Sequence, residues 1–233
     1  MKNKIYIFKN IKKCYNDSGG ENMDIQTKFK QMLQSDRFKS YSFIILNCHE
    51  DLREVIESLE ELFHDVIKID LGNDDVFLAY PNTLDIECKE LKDMFLSLSV
   101  DLGTKIKVFK GGCFSVDNLN EVSVIYKGYL KFKNRNFSFA TISDLIMYLI
   151  YGDVEVLKEL KEIIMMKFRK DAQLFKLVNE MFNNDLNISK TANSMFMHRN
   201  TINNKIEVIR KETGFNVQCF NDAIALYVIL KLV

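Results

Sequence analysis

Apolar and polar positions along this chain follow two periods, and each change of period marks an element. Tyr41–Asn47 (YSFIILN) is a nearly unbroken apolar run of strand length, the pattern of a buried strand. Leu52, Val55, Ile56, Leu59, Leu62 and Phe63 then recur at helical spacing. Val66–Asp70 and Val76–Tyr80 are short strand runs, separated by the turn composition Leu71-Gly72-Asn73-Asp74-Asp75. Leu84, Leu91, Met94, Phe95 and Leu98 predict another helix, and Lys105–Lys110 another strand, closed by Gly111-Gly112. The order is β-α-β-β-α-β, the split βαβ arrangement called ferredoxin-like. A sheet of this kind is expected to bury one face under two helices. The fold class is therefore α+β.

Beyond Gly112 the period is helical throughout. Leu119, Val122, Ile125, Tyr126 and Tyr129 predict a helix within Ser115–Lys133. Ser143 is a candidate cap for a helix over Asp144–Tyr151, and Val154–Phe168 continues helically around a Met165-Met166 pair that reads as adaptable core. The first forty residues carry weaker signals: a strand at Lys4–Phe8, a loop at Asp17-Ser18-Gly19-Gly20 and an amphipathic helix at Met23–Leu33.

The sharpest pattern spans Asn187–Gly214, where two short helical periods are separated by a few residues. Asn187 caps the first, and Ile188, Ala192 and Met195 face inward, with Ala192 small enough for a second helix to cross close by. Met197 and His198 fall at the turn, where His198 caps or packs. The second helix runs from Arg199 to about Glu212 and ends at Gly214, a residue suited to the left-handed C′ position. Ile202, Ile206 and Ile209 form its apolar stripe. Arg199, Asn200, Asn203, Asn204, Glu207, Arg210 and Lys211 occupy the opposite arc.

This is the layout of a helix-turn-helix that buries one side of its second helix and offers the other to the DNA major groove. Arg pairs bidentately with guanine and Asn with adenine, so Arg199, Asn200, Asn203 and Asn204 are the base-reading candidates. Lys190, Lys205, Arg210 and Lys211 suit phosphate contacts. Ser189, His198 and Thr201 complete the expected DNA-facing set. The segment holds five basic and two acidic residues. An ordinary amphipathic helical hairpin with a solvated polar face is the plainer alternative for the same pattern.

Charge resolves along the chain into two regions. The formal net charge of the 233 residues is zero, yet Glu50–Asp101 is dense in acid and poor in base. The neutral total thus conceals an acidic middle and a basic end, with separate electrostatic tasks. A hydrophobic content of 47% supports buried cores. The five cysteines (Cys14, Cys48, Cys88, Cys113, Cys219) form no CxxC pair, which argues against a disulfide framework and a structural zinc site. No apolar run approaches a membrane span, and Ile5–Phe8 is too short for a signal-peptide core, so a cytoplasmic protein without a membrane partner is expected.

Thr191-Ala192, His198-Arg199-Asn200-Thr201-Ile202, Ile206 through Ile209 and Thr213-Gly214 together resemble the C-terminal helix-turn-helix of PucR/CdaR-type bacterial transcription regulators. The resemblance extends from about Asp171 to Val233. Asn204 and Lys205 depart from it, standing where that family commonly has an aromatic residue and Arg. Upstream, Gly72-Asn73-Asp74-Asp75-Val76 resembles a degenerate GGDEF loop, with Asn73 replacing a glycine and Asp75 a glutamate. CdaR-type regulators carry such a degenerate domain ahead of the helix-turn-helix.

The resemblance implies four regions: an N-terminal segment 1–40, a GGDEF-like ferredoxin-like domain 41–135, a helical connector 136–170 and an all-α helix-turn-helix domain 171–233. It implies a sequence-specific regulator that binds double-stranded DNA, works as a homodimer and is neither an enzyme nor dependent on a cofactor or metal. The segment ahead of residue 41 leaves no room for the ligand-sensing domain usual in that family, so the small-molecule effector or protein partner is open. The competing reading is a metal–nucleotide receptor or cyclase acting through Asp74 and Asp75, whose plainer role is local bonding in a polar β-turn. No carboxylate partner stands on the first strand, where Asn47 and Cys48 lie, and His49 and His64 lack a third ligand nearby.

Overall fold

A computed structural model describes residues 38–48, 53–63, 66–72, 74–82 and 86–231. The expectations for Lys4–Phe8, Asp17–Gly20, Met23–Leu33, His49 and His64 lie outside them. The apolar run that opens the described chain is strand β1 (Ser40–Asn47). It is followed by α1 (Arg53–Leu62), β2 (Ile67–Gly72), β3 (Asp75–Pro81), α2 (Cys88–Asp101) and β4 (Lys107–Ser115). Antiparallel pairing places these strands in the order β2-β3-β1-β4, which realises the split βαβ arrangement read from the sequence. A short fifth strand, β5 (Phe139–Thr141), adds in parallel to β4. Its three residues are too few for a period, and the sequence gives no sign of it.

The remaining elements of the described residues are helices: α3 (Asn120–Phe132), α4 (Ile142–Gly152), α5 (Val154–Arg169), α6 (Ala172–Asn183), α7 (Ile188–Ser194), α8 (Arg199–Thr213) and α9 (Phe220–Lys231). Thr141, rather than Ser143, caps α4, and Asp144 closes a capping box with it. Asp153 ends α4 and caps α5 by accepting from the Val156 amide. That one aspartate sets the corner between the two helices.

Alternation along the strands assigns each sheet face. Ile44, Leu46, Leu78, Tyr80 and Val108 point to one side and pack with Val55, Ile56 and Leu59 of α1 and Leu91 and Phe95 of α2. Tyr41, Phe43, Ile45, Phe77, Ala79 and Phe109 point to the other side, and this face is also buried. The expectation of a single covered face is thereby corrected. Residues of α3, α4 and α5 close the second face, and their core continues without a break into Leu177, Ala192, Ile206 and Leu226 of the C-terminal helices. Burial on both sides explains why β1 is apolar at nearly every position instead of alternating.

Gly111-Gly112 does not end the strand, as the sequence suggests. The strand β4 runs through both glycines as a bulge, its register against β1 shifting between Ser42 and Ile44. The reason is Phe43. A Cβ on Gly111 would stand 2.0 Å from the Phe43 Cζ, so the ring lies where a side chain would be. Phe43 in turn stacks on Phe77 at 4.8 Å between ring centroids.

Candidate nucleic-acid interface

The C-terminal helices are shaped by local signals that are each visible in the bonding. Asp171 starts α6 by accepting from the Gln173 amide at 2.8 Å. Asp185 and Leu186, both left-handed, reverse the chain after it. Asn187 caps α7 through its side-chain oxygen, which accepts from the Lys190 amide at 3.0 Å. The turn after α7 is held by the Met197 amide donating to the Ala192 carbonyl at 2.9 Å and the Phe196 amide donating to Asn193. His198 then caps α8: its Nδ1 accepts from the Asn200 amide at 3.2 Å. A neutral ring that accepts at Nδ1 carries its proton on Nε2, so that edge is a donor. Gly214, at φ +83°, closes α8 in the left-handed conformation.

Ile202, Ile206, Ile209 and Thr213 are the buried positions of α8. Arg199, Asn200, Thr201, Asn203 and Asn204 are exposed on α8, and Ser189 and Lys190 are exposed in the first turn of α7. Three cations of the expected set have protein partners. Lys205 donates to the Gln173 side-chain oxygen at 2.9 Å, which fixes it beside α6. Arg210 is paired with Glu207 at 2.8 Å, one turn back along α8. Lys190 lies 3.6 Å from Asp185 across an exposed pair. An exposed pair of this kind contributes little and yields readily to a stronger anion.

Phe196 is the residue at this surface that sequence reasoning passes over. It stands in the turn between α7 and α8, is 97% exposed and adopts φ +54°, a left-handed conformation for a bulky side chain. Its neighbours Met195 and Met197 pack against the core.

The C-terminal end of α8 is seated on the sheet. Gly214 approaches Gly112 so closely that a Cβ on it would meet the Gly112 Cα at 3.4 Å. Asn82, at the end of β3, donates to the Lys211 carbonyl at 3.4 Å. Lys167 of α5 bonds the Cys113 carbonyl at 2.6 Å and the Glu121 carboxylate at 2.8 Å, joining α5 to β4 and α3. Asp222 joins α9 to α4 by accepting from Ser143 at 2.5 Å.

In the candidate nucleotide or metal loop Asp74 sits in the turn as expected, while Asp75 has a different role from either one the sequence offered. Asp75 is not a turn residue bonding its own backbone; it is 1% exposed. One oxygen accepts from Asn47 Nδ2 at 2.7 Å and Tyr129 Oη at 2.9 Å, and the other from Lys133 Nζ at 2.7 Å. An ammonium therefore supplies the positive charge that a bound cation would bring. Burial, and then the Asp75 charge, push the Tyr129 phenol well above its ordinary pKa, so it stays a donor. Among the described residues no group of histidine, cysteine and carboxylate side chains is placed to hold a metal ion.

The model of the PucR C-terminal helix-turn-helix domain matches residues 174–232. Residues 174–232 are a PucR-type helix-turn-helix domain. No curated protein matches the chain. Among solved structures, a Regulator of Polyketide Synthase Expression from Bifidobacterium adolescentis is similar at 13% identity and a TM-score of 0.42, over 88% of this chain and 84% of that one. The PucR-type domain marks this protein as a DNA-binding transcription regulator. Within the matched residues, α7 and α8 are joined by the short turn Met195–His198. No helix of the described residues is long and apolar enough to cross a membrane.

Proposed function

We propose that the protein is a cytoplasmic, sequence-specific regulator that reads the DNA major groove with α8 as a homodimer. The observation that carries this reading is the division of α8, with Ile202, Ile206 and Ile209 buried while Arg199, Asn200, Asn203 and Asn204 are all exposed, Asn200 and Asn204 opposite the buried stripe. Arg199 and Asn200 lie in the first turn, the end that a recognition helix directs at base edges. Ser189, Lys190, Thr201 and the Nε2–H edge of His198 are exposed around that end and suit phosphate oxygens. Lys205, anchored to Gln173, presents a positioned charge for a phosphate. Arg210 contributes less, because Glu207 already neutralises it.

The reading unit is residues 171–233, and residues 41–135 form a degenerate GGDEF-like module that regulates or dimerises it. The split βαβ order of the sheet supports that assignment, as does the substitution of Lys133 for a cation at Asp75. Two-fold symmetry matches inverted-repeat operators, which is the ground for the homodimer. Sedimentation of the full chain, alone and with duplex, tests it; a monomer on an inverted repeat would overturn it.

The deciding experiment is selection of bound duplexes from random sequence by the full chain, followed by titration with Arg199→Ala. Loss of a bidentate base contact should weaken the selected duplex by about 1–3 kcal/mol and relax the preference at one base pair. Unchanged affinity removes Arg199 from the base-reading set, and failure to enrich any duplex rejects the proposed function.

A further inference from the structure

Phe196 stands out on two independent grounds. A left-handed backbone is unfavourable for any residue with a Cβ, and glycine or asparagine is the ordinary occupant of such a turn. The aromatic ring also gains nothing from burial, since it stays 97% exposed in the folded chain. Folding alone thus gives no reason for phenylalanine here. Residues that keep an unfavourable backbone conformation cluster where a molecule is bound.

The surroundings indicate which molecule. Phe196 lies two residues ahead of the His198 cap and three ahead of Arg199, at the end of α8 that carries the exposed Arg199 and Asn200. Met195 and Met197 on either side are packed on the core, and the Phe196 and Met197 amides are bonded back to Asn193 and Ala192. The turn is therefore fixed, and the ring is presented with little ordering left to do on binding. An apolar side chain at a major-groove surface has one specific partner among the base edges, the C5-methyl group of thymine.

We propose that Phe196 is a specificity residue, its ring packing on a thymine methyl beside the bases read from the first turn of α8. This rests on the DNA-reading role proposed above. It adds an apolar contact to a surface otherwise read by hydrogen bonds, and it calls for a thymine at a fixed offset from the base pair that Arg199 reads.

The test uses the full chain and a duplex selected by it, with each thymine in turn replaced by deoxyuridine, which lacks only the methyl group. Binding is followed by fluorescence anisotropy. For the unmodified protein, one replacement per half-site should weaken binding about fourfold, the worth of one buried methyl group. In Phe196→Ala that same replacement should cost nothing, while Phe196→Leu should keep part of the effect. Alanine retains a Cβ and hence the same backbone strain at an exposed position, so melting of the variant should match the parent. A methyl penalty that persists in Phe196→Ala assigns the contact to another residue and overturns the proposal. So does an unchanged affinity of Phe196→Ala for the thymine duplex. If no duplex is enriched, the DNA-reading role itself fails and this proposal with it; if one is enriched and Phe196→Ala binds it normally, only this proposal fails.

Discussion

Asp75 carries more of this structure than its place after a turn suggests. At 1% exposure it joins β1, β3 and α3 through Asn47, Tyr129 and Lys133. Asp75→Asn leaves the Lys133 ammonium facing an amide in a site that is mostly closed to water. Breaking a buried pair from one side costs about 3–5 kcal/mol, and we expect the lower end because Lys133 keeps some exposure. Urea unfolding should show a lower midpoint at unchanged slope. A loss below about 1 kcal/mol would mean that water already screens the pair. At the surface proposed to face DNA, Lys205→Ala should weaken binding to all duplexes alike and reduce the salt dependence by about one charge. An effect confined to one base position would contradict a phosphate role. Both residues were visible in the sequence as charges, but their partners were not, since Lys133 lies 58 positions from Asp75 and Gln173 lies 32 from Lys205.

The glycine pair in β4 shows at the scale of elements how a correct signal can be read for the wrong purpose. Gly-Gly marks either a turn or a place where another group comes close, and contiguous sequence does not distinguish the two. Phe43, far away in sequence, decides it by placing its ring against Gly111. Gly111→Ala should destabilise the protein by about 3 kcal/mol, because the ring is fully buried, stacks on Phe77 and meets Phe114 edge-on. Combining it with Phe43→Leu should cost less than the sum of the single changes, measured as a double-mutant cycle in urea. Full additivity would show that the ring and the glycine do not share the space. The C-terminal helices were far more legible. Their caps at Asn187 and His198 and the left-handed Gly214 act within four residues of the positions they bond, so the sequence holds both partners.

Across the whole molecule, the sheet and the DNA-binding helices share one continuous core, and α8 rests with its C-terminal end on β4. Gly112 is the contact that permits this, since a Cβ there would meet Ile142 at 3.1 Å and the Thr213 carbonyl at 3.6 Å. Gly112→Val should push α8 off its seat and lower affinity for a selected duplex by roughly 1 kcal/mol or more, the scale of a moderate overpacking strain. If anisotropy shows unchanged affinity in a variant whose melting temperature has dropped, the sheet does not orient the reading helix. The sequence by itself determined the order of the first four strands and the two helices between them, the buried stripe of α8, its caps and its PucR-type character, because periodicity and capping act between near neighbours. Only the tertiary structure decided that the sheet is buried on both faces, that β4 passes through its glycines, that Asp75 is held by an ammonium and that Phe196 is left in water. Each of these depends on which distant residues the folded chain brings into contact, and no local pattern records that.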